Sequence, residues 1–175
     1  MKLIVTWISA VLLAVAPPLA PAVDSGQAAR TTLKEAMAAA QKWQADAALT
    51  SVSTLRASPD GKSVKWGYMF YSAKAKMGYA VDFAGKKLVD AMEVRPHVTD
   101  AVAPDFVDSD KAMAIAKANG VDTQGQPFSM SLRVMGQSTK KPGTFWFVGG
   151  GFTKGAVAVA VDAKTGQFSF RQQVP

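Results

Sequence analysis

Enzymatic chemistry needs side chains that hold, accept or deliver charge, and this sequence offers few of them. His97 is the single histidine and there is no cysteine. A nucleophile triad needs a base and a carboxylate placed around the nucleophile, and the usual zinc sets draw on several His and Cys ligands. With no second His and no Cys, neither zinc set can be completed. His97 lies between Pro96 and Val98, where a solvated loop residue is expected. Two strings imitate penicillin-recognising enzymes: Ser138-Thr139-Lys140-Lys141 fits S-x-x-K, and Lys164-Thr165-Gly166 spells K-T-G. In those enzymes the Ser opens a helix, which aims its hydroxyl. Here it sits in a polar loop before Pro142-Gly143, and no S-D-N element accompanies it. The expectation is a protein that is not an enzyme and carries no cofactor.

Carboxylates are the next chemistry to weigh. Asp100, Asp105, Asp108 and Asp110 fall close together, and such a group could attract a hard cation. No D-x-D-x-D-G loop is present, so Asp105 and Asp108 remain weak metal candidates, with helix capping and a solvated linker as the plainer account. They support an alternative role, binding of a small ligand or metal ion in the periplasm. The 8 Met are scattered without an M-x-x-M cluster, which suits core filling better than copper.

Aromatic residues point to binding. In "KWGYMFY", Trp66, Tyr68 and Phe70 share one face of a strand, and in "TFWFV" Trp146 and Val148 take the corresponding places. Two hairpin registers are open. If each Trp stands opposite its matched Asp (Asp82 or Asp162), the Trp side is an uncovered sheet face floored by Ala and Gly, with Phe145 and Phe147 under the helix. A shift of one residue buries the Trp side chains under the helix instead. The first register makes Trp66, Tyr68 and Trp146 candidate partner-binding residues. Lys140 and Lys141 join them at a basic hairpin tip.

Other elements must position these residues. The chain has 175 residues, 49% of them apolar, enough for one ordinary domain or two small ones with a packed core. Residues 1–22 read as a signal peptide. Lys2 precedes a 14-residue apolar run, "LIVTWISAVLLAVA", which is short for a membrane span; Pro17 and Pro18 follow, and Ala20-Pro21-Ala22 offers a cleavage site. The membrane is then met only transiently, and the mature chain is periplasmic or secreted. No Cys follows the run, which excludes lipid attachment through Cys. The formal charge of +7 leaves about +6 after cleavage. No basic helix or recognisable module goes with that charge, so nucleic acid is not the expected partner. An acidic envelope surface or protein is.

The chain also repeats itself. "EAMAAAQK" from Glu35 resembles "KAMAIAKA" from Lys111, and "STLRA" from Ser53 resembles "MSLRV" from Met130. Trp66 precedes Asp82 by 16 residues, as Trp146 precedes Asp162. Each copy reads as a helix followed by four strands with short turns. Thr32 to Glu35 has the spacing of a capping box, and the second helix starts near Asp108 or Ser109 and stops at Asn119-Gly120. The expected fold is α+β: two tandem repeats, each one helix packed on a roughly four-stranded antiparallel sheet. Their bounds are 23–94 and 109–175, with 95–108 a Pro- and Asp-containing linker.

An exported chain with an Ala-rich helix, antiparallel strands and the closing phrase "VDAKTG" resembles the PepSY domain family. The second copy carries the phrase at Val161, Asp162, Ala163, Thr165 and Gly166. The first keeps Val81, Asp82 and Gly85, with Phe83 and Ala84 departing from it. The resemblance implies a non-catalytic role: holding or restraining another envelope protein such as a peptidase, or binding a ligand. It brings no catalytic residues to transfer.

Overall fold

The computed structural model describes residues 26–136, 141–150 and 153–175; the expected signal peptide, residues 1–22, lies outside them, as do Ser138, Thr139 and Lys140. In chain order the elements are a 3-10 turn (Ala29–Thr32), α1 (Leu33–Trp43), β1 (Ala48–Ala57), β2 (Lys65–Ser72), β3 (Met77–Ala84), β4 (Lys87–Val94), α2 (Ser109–Ala118), β5 (Phe128–Met135), β6 (Gly143–Gly149), β7 (Val157–Asp162) and β8 (Phe168–Gln173). The strands form one antiparallel sheet of eight, ordered β4-β3-β2-β1-β5-β6-β7-β8. β1 pairs with β5, so the four strands after α1 and the four after α2 share one continuous sheet.

The registers run symmetrically outward from that join. Ser53 stands opposite Ser131; beyond them Gly67 faces Ser53 and Phe147 faces Ser131. α1 packs on β2 and β3, α2 on β6 and β7. Alternation along the strands then directs Trp66, Tyr68, Phe70, Val81 and Phe83 inward on one side, and Trp146, Val148, Val159 and Val161 on the other. Small helix residues, Ala36, Ala40, Ala112 and Ala116, allow each helix to lie close over the large aromatics.

The hairpin register is the second of the two open from sequence. Trp66 is opposite Phe83 and Trp146 is opposite Val161. Asp82 and Asp162 therefore flank these positions from opposite sides and do not correspond. The cause lies in the connection between the paired strands: 14 residues, 68–81, separate the paired Gly67 and Asp82, whereas 12, 148–159, separate the paired Phe147 and Ala160. A similar slip affects "STLRA" and "MSLRV". Leu132 is fully buried while Leu55 is 82% exposed, since Thr54, not Leu55, takes the place matching Leu132. A one-residue shift along a strand reverses the face.

The capping box is also absent. Thr32 makes no cap bond; its buried hydroxyl lies 2.8 Å from the Tyr68 hydroxyl, which in turn donates to the Ala29 carbonyl at 2.6 Å. The 3-10 turn has already begun the helical segment upstream. α2 begins at Ser109 as expected, capped by the Asp108 carboxylate.

Residues 95–108 are not a solvated linker. Val102 and Phe106 are in the core, the Val102 N–H donates to the Leu49 carbonyl and the Val107 N–H to that of Ala163, each at 2.7 Å. The segment is a strap that ties β1 to the end of β7. Burying its two apolar side chains stabilises the fold by about 1.5–3 kcal/mol each before ordering costs.

Candidate functional site

Trp66, Tyr68 and Trp146 are fully buried and present nothing to a partner. Their polar atoms are occupied internally: Trp66 Nε1–H donates to the Gln27 carbonyl at 2.7 Å and Trp146 Nε1–H to the Val107 carbonyl at 2.8 Å. Burial raises the Tyr68 phenol above its ordinary pKa. The strand alternation that gathers these rings also seats them under the helices. Lys140 lies outside the described residues. Lys141 is exposed, with its ammonium 3.0 Å from the Ser169 carbonyl and 5.3 Å from the Phe170 ring centroid.

The carboxylate candidates separate too. Asp108 Oδ1 accepts from the backbone N–H of Ser109 at 2.8 Å and of Arg30 at 3.0 Å, so it joins the two helical starts. Asp105 is exposed beside a groove of about 570 Å³ lined by Arg30, Leu33, Met37 and Pro104. Among the described residues no group of three or more His, Cys, Asp or Glu is arranged around a common metal position. His97 is exposed.

Asp162 explains the "VDAKTG" phrase physically. Its Oδ1 accepts from the N–H groups of Lys164 and Thr165 at 3.0 and 2.8 Å and from the Thr165 hydroxyl at 2.9 Å. Burial works against its charge, but the Thr165 and Lys164 donors outweigh that and hold the carboxyl below its ordinary pKa. The phrase is a self-capped turn. In the first half Thr is missing, and Asp82 turns elsewhere.

Because both helices lie on one face, the opposite face of the sheet has no helix over it among the described residues. One row of paired residues crosses it from edge to edge: Asp90, Asp82, Gly67, Ser53, Ser131, Phe147, Ala160 and Phe170. Its two ends differ in character. On the β6–β8 side Phe145, Phe147 and Phe170 form a triangle with centroids 5.9–6.3 Å apart. Arg133 caps it with its guanidinium 4.7 Å from the Phe147 centroid.

On the β1–β3 side the face is hollowed into a depression of about 300 Å³ lined by Ser53, Leu55, Arg56, Val64, Lys65, Gly67 and Asp82, among others. A Cβ on Gly67 would lie 2.9 Å from Asp82 Oδ1, so the absence of a side chain there lets the carboxylate lie across the strand. Lys65 Nζ meets Asp82 Oδ2 at 2.7 Å, and this contact raises the ammonium above its ordinary pKa. Leu55 and Val64 stand up at the rim, 82% and 48% exposed. Sequence reasoning missed this site. Its one visible signal was Gly67 between large residues of a strand, a mark of close approach.

No protein-family model matches the chain, and no curated protein matches it. Among solved structures, a candidate lipoprotein from Clostridium difficile 630 is similar at TM-score 0.54, with 16% identity, over 81% of this chain and 91% of that one. A likeness at that identity establishes the fold alone: α+β, with an eight-stranded antiparallel sheet and two helices. No helix among the described residues is long and apolar enough to cross a membrane.

Proposed function

We propose that this is an exported, non-catalytic, PepSY-like protein, built from two helix-plus-four-strand units related by duplication, that binds another envelope protein such as a peptidase. The observation that carries the reading is the sheet face that the described residues leave uncovered when both helices pack on the other side. Exposed apolar side chains beside unfilled relief on such a face are typical of protein-binding surfaces. Duplication is supported by the matching order of elements and by the symmetric registers around Ser53 and Ser131. Export is supported by the apolar run near the start and by the lipoprotein character given to the structural neighbour.

The test is site-specific photo-cross-linking in envelope extract. A cross-linker at Ser53 or Ser131, on the open face, is expected to capture a protein that one at Lys34 or Lys111, on the exposed sides of the helices, does not. Equal or no capture from the open face overturns the reading. Amino-terminal sequencing of the protein recovered after export checks the leader, with the mature chain expected to begin near Val23.

A further inference from the structure

We infer that the depression beside Gly67 is a socket for an aromatic side chain carried on an extended, acidic segment of the partner; this rests on the open-face reading above. The argument comes from comparing the two sides of the Ser53–Ser131 join. Gly67 faces Ser53 and Asp82, as Phe147 faces Ser131 and Ala160. Asp82 is opposite Asp90, as Ala160 is opposite Phe170. Lys65 and Phe145 each precede these positions by two residues on the same face of the strand. The places that hold Phe145, Phe147 and Phe170 on one side therefore hold Lys65, Gly67 and Asp90 on the other.

One side fills the relief of the open face with its own aromatic rings, and among the described residues the other leaves it empty. The filled side shows what this surface accommodates: a ring lying on small strand residues, with a cation above it, as Arg133 lies above Phe147. The empty side retains the floor (Ser53, Gly67), gains aliphatic walls (Leu55, Val64) and has cations at hand. Arg56 has no side-chain partner among the described residues, and Lys65 is 58% exposed beside Asp82. Lys65 is paired with Asp82, so Arg56 is the rim cation left to meet a partner, and on a chain that keeps a formal charge of about +6 after cleavage it favours acidic residues beside the incoming ring.

The experiment is a titration of the isotope-labelled protein, followed by amide NMR shifts, with three pentapeptides. The first has a central Phe flanked by Asp and Glu; the second replaces Phe with Ala; the third replaces the acids with Lys. The first is expected to shift Ser53, Leu55 and Gly67 saturably, and the other two to bind about tenfold more weakly or worse. Gly67→Phe, which plugs the socket as Phe147 plugs its counterpart, is expected to weaken the first peptide about tenfold. The atom a Cβ would meet is the end of the Asp82 side chain, which can move aside. Leu55→Asp, at a site 82% exposed, gives a second variant whose folding is not at issue.

Equal binding of the Phe and Ala peptides, undiminished binding by both variants, or no binding at all overturns the socket. Cross-linking from Ser53 that persists in Gly67→Phe would retain the open-face function while removing the socket from it. Loss of open-face capture in the unaltered protein would remove the wider reading.

Discussion

Trp66 and Trp146 meet edge to face in the core, with ring centroids 6.1 Å apart and planes at 71°. They come from β2 and β6, and each donates its indole N–H to a carbonyl 39 residues upstream. The two sides of the molecule thus share one core and do not merely abut. The carbonyls they engage differ, however. That of Gln27 also accepts from the Ser63 N–H at 3.0 Å, whereas that of Val107 has Trp146 as its described donor.

Phe substitution should expose this difference. Trp146→Phe leaves a carbonyl short of its donor and is expected to cost about 1–3 kcal/mol beyond the lost volume. Trp66→Phe leaves a carbonyl still bonded and is expected to cost less. Urea unfolding of the two variants gives the comparison, and equal losses would refute it.

Leu55 and Leu132 test the slip between the repeated phrases. Leu132→Ala is expected to cost about 2–5 kcal/mol, as for a buried Leu, and Leu55→Ala to fall within about 0.5 kcal/mol of the parent. Thermal unfolding monitored by circular dichroism separates these outcomes readily.

Phe106 tests the strap. It is 2% exposed, packs edge to face on Trp146 with centroids 5.9 Å apart, and lies under the Arg30 guanidinium. Phe106→Ala is expected to cost about 3–5 kcal/mol. A change within about 0.5 kcal/mol would return residues 95–108 to a solvated linker.

Asp162 predicts a pH dependence of definite sign. Its folded pKa is depressed below the ordinary 3.8, so the stability it contributes is present above that value and is lost as pH falls through the folded pKa. Asp162→Ala is expected to be destabilised by about 0.5–1.5 kcal/mol at neutral pH. The gap from the parent should narrow below pH 4, a trend read from urea midpoints across an acid series. A gap that widens toward low pH would contradict the assignment.

Much of the local structure was legible from the sequence alone. Alternation from Trp66 to Phe70 and from Val157 to Val161 marks strands because the side-chain period of two is set by the backbone. Asp108 and Asn119-Gly120 bound α2 because they satisfy or release helix ends. Less legible were quantities that depend on counting across turns. The 16-residue interval from each Trp to its Asp is the same, yet 14 residues between the paired Gly67 and Asp82, against 12 between the paired Phe147 and Ala160, place the two Asp differently. The helix phrases likewise match at a spacing of 76 residues, while the donors Trp66 and Trp146 lie 80 apart, as do Gln27 and Val107, whose carbonyls they bond.

By itself the sequence determined the class of elements, their order and the aromatic and aliphatic residues available for a core, since these follow from local periodicity and turn chemistry. Tertiary structure decided the hairpin registers, the joining of β1 to β5 and the side of the sheet that both helices cover. Those choices rest on contacts between distant residues, where one step along a strand exchanges buried for exposed. They buried Trp66, Tyr68 and Trp146, and left Gly67, Asp82 and Leu55 on the open face.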